Sequence, residues 1–457
     1  MARAKSSDTK LAAATPAKAV SALRQSKIRT VHLGIFDNDA CFRAKRLPLA
    51  LAESALRGEY SFVNVLPQWD IGENVIDPAF DFVDEPVSVD PSSGRVYPFE
   101  PDAALYIGSY AGPSAALSPR ALLADQVARA AKAGFDVKAA VECEFTVMAE
   151  TAESVRAKGY ANLVPALPDN RCWAADSAAP YATFCADLEA MINGMDIPVY
   201  ALGTELGPGC LEATLMAEDA LRAADSYALF RQMTKAFCRQ RGMTATFMAL
   251  VGDGFQGLSG HVHLSLSDRK TGKPLFADPK SKDGISPLAR KFIAGILHQL
   301  PDWTALCTQT VNAYRRMVPG MWAPRTPTWG FNNYSVAVRV AAARPETTRI
   351  EFRIPASDTN PFLAIGMALA AGLWGIENDP PLPAPVTGNA RETVPKGLKP
   401  LPHDLKIATD RLAANKLARA TFGDRFIDHF VKTRYQEEAA LRREVSAAER
   451  RRYLETL

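Results

Sequence analysis

Hydrophobic and polar positions change rhythm near residue 118. Before it, short β-rich runs alternate with turn residues. Ile28–Phe36 and Ser61–Leu66 read as strands, Asp90–Arg95 (DPSSGR) as a hairpin turn and Ser109–Ser118 as a linker. Ser118-Pro119 then opens a helix that runs to about Ala133 and stops at Gly134. From Val137 onward, long strands mix with helices. Glu218–Arg241 is predicted as one long helix and Met243–Ala249 as a strand. Pro287–Gln299 is predicted as a helix with Ser286 as its cap. Asp358–Glu377 reads as a loop entering a buried apolar helix, Asp379–Pro385 as a break, and Leu405–Leu457 as helical and charged towards its end. No internal repeat is present. The pattern implies an α+β chain with a basic disordered tail (1–27), a small N-terminal domain (28–117) and a large second domain (118–457).

Composition narrows this little. The 457 residues are 47% hydrophobic and 23% charged, close to the globular average, which excludes a collagen-like or wholly disordered chain. A net charge of +3 gives no reason to expect nucleic acid as a partner. The longest apolar run, Phe362 to Ile376, is shorter than the roughly 18–20 residues a membrane span needs, so no membrane partner is expected. The seven cysteines lack any C-x-x-C spacing, which points to a reducing, cytoplasmic location. The first 27 residues hold six Lys/Arg against one Asp, but no apolar signal core, and read as a solvated tail.

Candidate chemistry changes the picture. Three strand-like segments place charged groups two residues apart: Glu142 and Glu144, His261 and His263, and Arg349, Glu351 and Arg353. Residues i and i+2 of a strand share a face. A solvated sheet face would give the same alternation, but three such segments together favour a shared polar cavity. Glu205-Leu-Gly-Pro-Gly-Cys-Leu-Glu212 adds two carboxylates around a turn. Five carboxylates and a histidine suit Mg²⁺ or Mn²⁺ better than zinc or copper. Arginines beside such metals suggest an anionic substrate. Gly252-Asp-Gly254-Phe-Gln-Gly257 matches G-x-G-x-x-G, but a strand-like run follows it where a dinucleotide fingerprint needs a helix.

These residues and their neighbours resemble the glutamine synthetase superfamily over roughly residues 28–457. The resemblance rests on VECEF (141–145), TELGPGCLE (204–212), SGHVHLSL (259–266), NAYRRMVPG (312–320), WGFNNYSVAVRV (329–340), RIEFRIP (349–355) and DTNPFLAIGMALAAGLWGI (358–376). It implies a β-grasp-like N-terminal domain and a catalytic domain with a curved antiparallel sheet flanked by helices. It also implies ATP as co-substrate and two to three Mg²⁺ or Mn²⁺ ions per site. By the same resemblance, Glu144, Glu205 and Glu212 would hold the metal nearest the amino-acid substrate. Glu142, His261 and Glu351 would hold the one that orients the nucleotide phosphates. His263, Ser265, Arg339 and Arg349 would face nucleotide and phosphate. Arg316, Arg353 and the backbone of Gly257 would hold glutamate. Asp70, in QWDIGEN, would lie in an acidic loop given to a neighbouring subunit of a homo-dodecamer built from two hexameric rings. Asp70, Arg316 and Arg339 would be catalytic.

The chain also departs from the family pattern. Ammonia-using members read P-G-Y-E-A-P where this chain reads Pro319-Gly-Met-Trp322-Ala-Pro324. N-R-S reads Asn333-Tyr334-Ser335, F-M-P-K-P reads Phe247–Val251, and an Asn of the glutamate pocket reads Gln256. The missing Glu would have taken a proton from ammonium, and Trp322 cannot. A large apolar face in its place predicts an acceptor bulkier than ammonia, an alkylamine or arylamine, with Trp322 and Asp70 at the acceptor pocket. The expected reaction is ATP-dependent formation of a γ-glutamylamide from L-glutamate through γ-glutamyl phosphate. The alternative is an ordinary glutamine synthetase using ammonia.

Overall fold

The structure is a computed structural model and describes residues 10–75, 81–167, 169, 171–390 and 394–456. Two sheets organise it. The first holds β1 (Thr30–Phe36), β2 (Phe42–Pro48), β3 (Ser61–Val63), β4 (Asp84–Val89), β5 (Arg95–Val96) and β6 (Ala103–Tyr110), in the order β2-β1-β6-β4-β3. β1 and β6 run parallel, and β5 lies beside β6 on the same side as β4. The Asp90–Arg95 segment is therefore not the hairpin turn expected. Asp90 accepts the Ser92 N–H and Pro91 has no N–H to offer, so the chain makes one 3₁₀ turn and continues along β6 in the same direction.

The expectation of a disordered tail is also corrected. Pro16–Gln25 is a helix, capped by Thr15 and opened by proline. Its alanines, Lys18, Leu23 and Arg24 give it helix propensity, and Leu11, Ala19 and Leu23 are buried against Ile28, Val31 and Ala55. Residues 1–9 of the expected tail lie outside the described residues.

The second sheet has β7 (Phe135–Met148) at its centre. It also holds β8 (Val199–Thr204), β9 (Cys210–Leu215), β10 (Glu218–Asp219), β11 (Thr244–Thr246) and β12 (Gly260–Asp268). Its far side is β13 (Trp329–Phe331), β14 (Val338–Ala341) and β15 (Arg349–Phe352). The order is β13-β14-β15-β12-β7-β9-β8, with β10 and β11 on the two ends of β7. Among the described residues, β13 and β14 are the pair in this sheet that runs parallel. The apolar face of β7, β9 and β12 (Val141, Cys143, Phe145, Leu211, Val262, Leu264) packs into one core with helices Ala220–Arg239, Pro287–Trp303 and Pro361–Asn378.

The Pro361–Asn378 helix is longer than the apolar run that marked it, and by length and composition it could cross a membrane. It is instead 78% buried inside the protein, as a helix apolar on every side must be. Ser118 and Ser286 cap their helices through the Ala121 and Ala289 N–H groups, as their positions predict. The C-terminal stretch is not continuous. It divides into Leu405–Ala414, Lys416–Phe422, Asp424–Arg443 and Ala447–Tyr453, with Asn415, Gly423 and Ser446 starting new helices.

Candidate active site

Strand register brings the sequence-predicted side chains onto one face. Glu144 pairs with Glu212 across β7 and β9, Glu142 with His261 across β7 and β12, and His263 with Glu351 across β12 and β15. Arg339 pairs with Glu351 across β14 and β15. Five strands thus form one polar band, while the alternate residues enter the core.

Glu351 is the most enclosed member, 1% exposed. It accepts from Arg339 at 2.5 Å and from Arg353, and His261 Nδ1 lies 3.3 Å away. Burial pushes its carboxyl up, but His261, Arg353 and His263 outweigh this and hold it at about 2. Glu142 stands 3.2 Å from His261 and 3.5 Å from His263. Burial again raises its pKa, and the two histidines pull it well below the ordinary value. Burial and the Arg353 charge lower the pKa of His261. Ligand atoms of Glu142, His263 and Glu351 lie within 4.8 Å of one another. The structure thus gathers His263, expected to face phosphate, with the two carboxylates, and places His261 beside them.

Glu144 and Glu212 behave oppositely. Burial, and then the charge of Glu205, raise Glu144 to about 7 even though the Ser259 N–H (2.7 Å) and hydroxyl donate to it. Burial and then Glu142, Glu144, Glu205 and Glu351 raise Glu212 to about 9. Glu205 accepts the Leu206 N–H at 2.7 Å and the Cys172 thiol at 2.8 Å. Crowded carboxylates without enough positive charge lift one another's pKa, and a divalent cation removes that penalty. His263 Nε2 is buried without a hydrogen-bond partner. An all-oxygen and imidazole donor set with an orphaned ring nitrogen fits Mg²⁺ or Mn²⁺.

Arg353 and Arg339 stand over the Tyr334 ring, 5.3 and 4.3 Å from its centroid. Arg349 donates to His263 Nδ1 at 3.2 Å. Ser265 sits half-buried two residues beyond His263 on the same face. Arg316 is 2% exposed and donates to the Leu258, Ile354 and Pro355 carbonyls, so much of its donor capacity serves the fold. A Cβ on Gly257 would meet the Arg316 Cβ at 2.7 Å, which explains the glycine. Trp322 is 58% exposed on the loop before β13. Asp70 accepts the Gly72 and Asn74 N–H groups of its own turn, each at 2.9 Å.

Residues 116–453 match the family described as glutamine synthetase, catalytic domain. The chain belongs to the glutamine synthetase family. It is similar to type-1 glutamine synthetase 2 of Dictyostelium discoideum, 32% identical over 95% of this chain and 85% of that one. It is also similar to the glutamate–isopropylamine ligase of a Pseudomonas species, 30% identical over 95% of this chain and 97% of that one. The structure of apo GmaS without ligand superposes with a TM-score of 0.82 at 27% identity, covering 95% of this chain and 99% of that one. The glutamine synthetase fold follows from these matches, and so does membership of a ligase family that generally uses ATP and divalent metals.

Three contributors escaped the sequence reading. Ser259, which holds Glu144, lies inside the quoted SGHVHLSL run and was legible as its first residue. Tyr334 marks a missing arginine, but nothing in the sequence announces that two arginines stack on it. Cys172 reaches Glu205 from an irregular segment 33 residues away, with no periodic signal to place it.

Proposed function

We propose that this protein is an ATP-dependent ligase that joins the γ-carboxylate of L-glutamate to an alkylamine or arylamine, a first step in amine catabolism or detoxification. The supporting observation is the pairing of a retained acidic and arginine set with an exposed aromatic at Trp322, where ammonia-using relatives carry a carboxylate. Glu144, Glu205 and Glu212 would hold one Mg²⁺ or Mn²⁺, and Glu142, Glu351 and the two histidines another. The metals, when bound, offset the charge on the transferring phosphoryl group.

The chain's own residues do the rest. Arg339 and Arg349 draw the phosphates towards β14 and β15. Arg353 and the N–H hydrogens of Arg316 not spent on backbone carbonyls orient glutamate so that its γ-carboxylate meets the γ-phosphate of ATP. Attack breaks the β–γ bond, releases ADP and forms γ-glutamyl phosphate. The amine then attacks the acyl carbon, phosphate leaves, and the amine loses a proton. An alkylamine is an ammonium ion at neutral pH, and Asp70 of a neighbouring copy would take its extra proton before attack so that the lone pair is free. A neutral arylamine would not need a base before attack.

Among the described residues the Asp70 carboxylate bonds only to its own turn, and its supply to a neighbouring subunit's site in a homo-dodecamer of two hexameric rings is part of the proposal. Exposed Leu441, Val445, Tyr453 and Leu454 near the chain's end offer apolar surface for such contacts.

Trp322→Glu tests the acceptor assignment. It is expected to lower kcat/KM for isopropylamine or aniline and raise the relative use of ammonia, roughly tenfold in the ratio. An unchanged ratio would remove Trp322 from the acceptor pocket. The second reading, glutamine synthesis from ammonia, draws on the similarity to the Dictyostelium enzyme.

A further inference from the structure

Beside the polar band lies a cavity of about 380 Å³, lined by Phe331, Asn333, Tyr334, Pro385, Val386 and Thr387 among others. Its two walls are stitched together. The Asn333 side-chain amide donates to the Val386 and Gly388 carbonyls at 3.0 and 2.9 Å, and the Val386 N–H donates to the Trp329 carbonyl at 2.8 Å. Tyr334 belongs to both places. It lines the cavity, and it also carries Arg339 and Arg353, which bond Glu351. The cavity therefore adjoins the groups assigned to phosphate and glutamate.

We infer that this cavity, which Trp322 and Asp70 do not line, receives the uncharged alkyl or aryl body of the acceptor amine, with the Tyr334 ring as its inner wall and Trp322 left to the approach of the amino group. The inference rests on the proposed ligase function and adds the place and chemistry of acceptor recognition. Volume is the first argument: about 380 Å³ is at the small end of ligand pockets (roughly 300–1,000 Å³) and has room for an isopropyl or phenyl group. Chemistry is the second. No acidic side chain lines the cavity among the described residues, so nothing there would hold a second ammonium group. The guanidinium groups against Tyr334 would repel one. A polyamine is thus disfavoured, and a branched alkyl or aryl group gains by packing on Tyr334, Phe331 and Val386. Third, an aromatic ring stands where the family pattern has an arginine, exchanging a charge for an apolar wall.

Val386→Trp and Val386→Ala in the full-length enzyme test this, because Val386 bonds Trp329 through its backbone and both substitutions keep that bond. Initial rates are measured with glutamate, ATP, Mg²⁺ and ammonia, methylamine, isopropylamine, aniline or putrescine. Val386→Trp is expected to raise KM for isopropylamine and aniline roughly tenfold relative to methylamine. Val386→Ala is expected to shift preference about threefold towards the bulkier amines. Parallel changes for every amine, or none, would overturn the inference. If Val386→Trp does not fold, the Val386→Ala ratio decides alone. A wild-type enzyme that uses only ammonia would sink the ligase proposal and this inference with it. A wild type that uses isopropylamine or aniline, with ratios unmoved in the variants, would sink only the inference.

Discussion

Glu144 and Glu351 show how one residue type acquires two characters from its neighbours. Glu351 is ringed by two arginines and a histidine and stays ionised, whereas Glu144 and Glu212 face other carboxylates and hold their protons near neutrality. Ser259 fixes Glu144 from two sides, so Ser259→Ala should weaken Mn²⁺ binding by about 10–100-fold with the fold intact, as read by titration calorimetry. A second expectation concerns pH. Glu212 ionises at about 9 in the metal-free fold against an ordinary 4.5. The folded chain therefore binds more protons than the unfolded chain between these values, and stability falls as pH rises through that window. His261, lowered from 6.5, opposes this only below about that pH, and Glu142 and Glu351 act below pH 4.5. The melting temperature in EDTA should therefore drop from pH 7 to pH 9, while Mg²⁺ restores it. An EDTA curve flat across that range would contradict the carboxylate crowding.

At the level of elements, the close crossing of Pro287–Trp303 and Pro361–Asn378 holds the back of the active-site sheet. It depends on two glycines. A Cβ on Gly295 would meet the Ala371 carbonyl at 2.1 Å, and one on Gly375 the Lys291 carbonyl at 2.2 Å. Backbone cannot yield as a side-chain tip can, so Gly295→Val should destabilise by about 3 kcal/mol or more, seen as a lower denaturation midpoint. A midpoint matching wild type would mean the helices separate freely. These helices were legible from the sequence because proline after a polar cap (Ser286, Asn360) marks their starts and apolar residues fill them. The i, i+2 carboxylates and histidines were legible because strand geometry has period two. The strand at β4–β5 was not, since a turn signature such as DPSSGR specifies a local bend but not which strand it continues along. The 16–25 helix was hidden by its charge, as only Ala19 and Leu23 carry its buried side.

For the whole molecule, polar contacts hold the small sheet unit on the large one. Arg120 pairs with Asp90 and Asp225, and Arg231 reaches the Asp39 carbonyl. The near-neutral total charge of +3 concealed a site in which five carboxylates cluster beside arginines and histidines. Family membership makes the chain a glutamine synthetase-like ligase, and the proposed difference from ammonia-using relatives lies in the acceptor. The most direct test of that difference is a competition in one vessel. Glutamate, ATP and Mg²⁺ are supplied with equal concentrations of ammonia, isopropylamine and aniline, and products are counted by mass. The account predicts a γ-glutamyl alkyl- or arylamide in excess over glutamine. Glutamine as the sole or dominant product would contradict it.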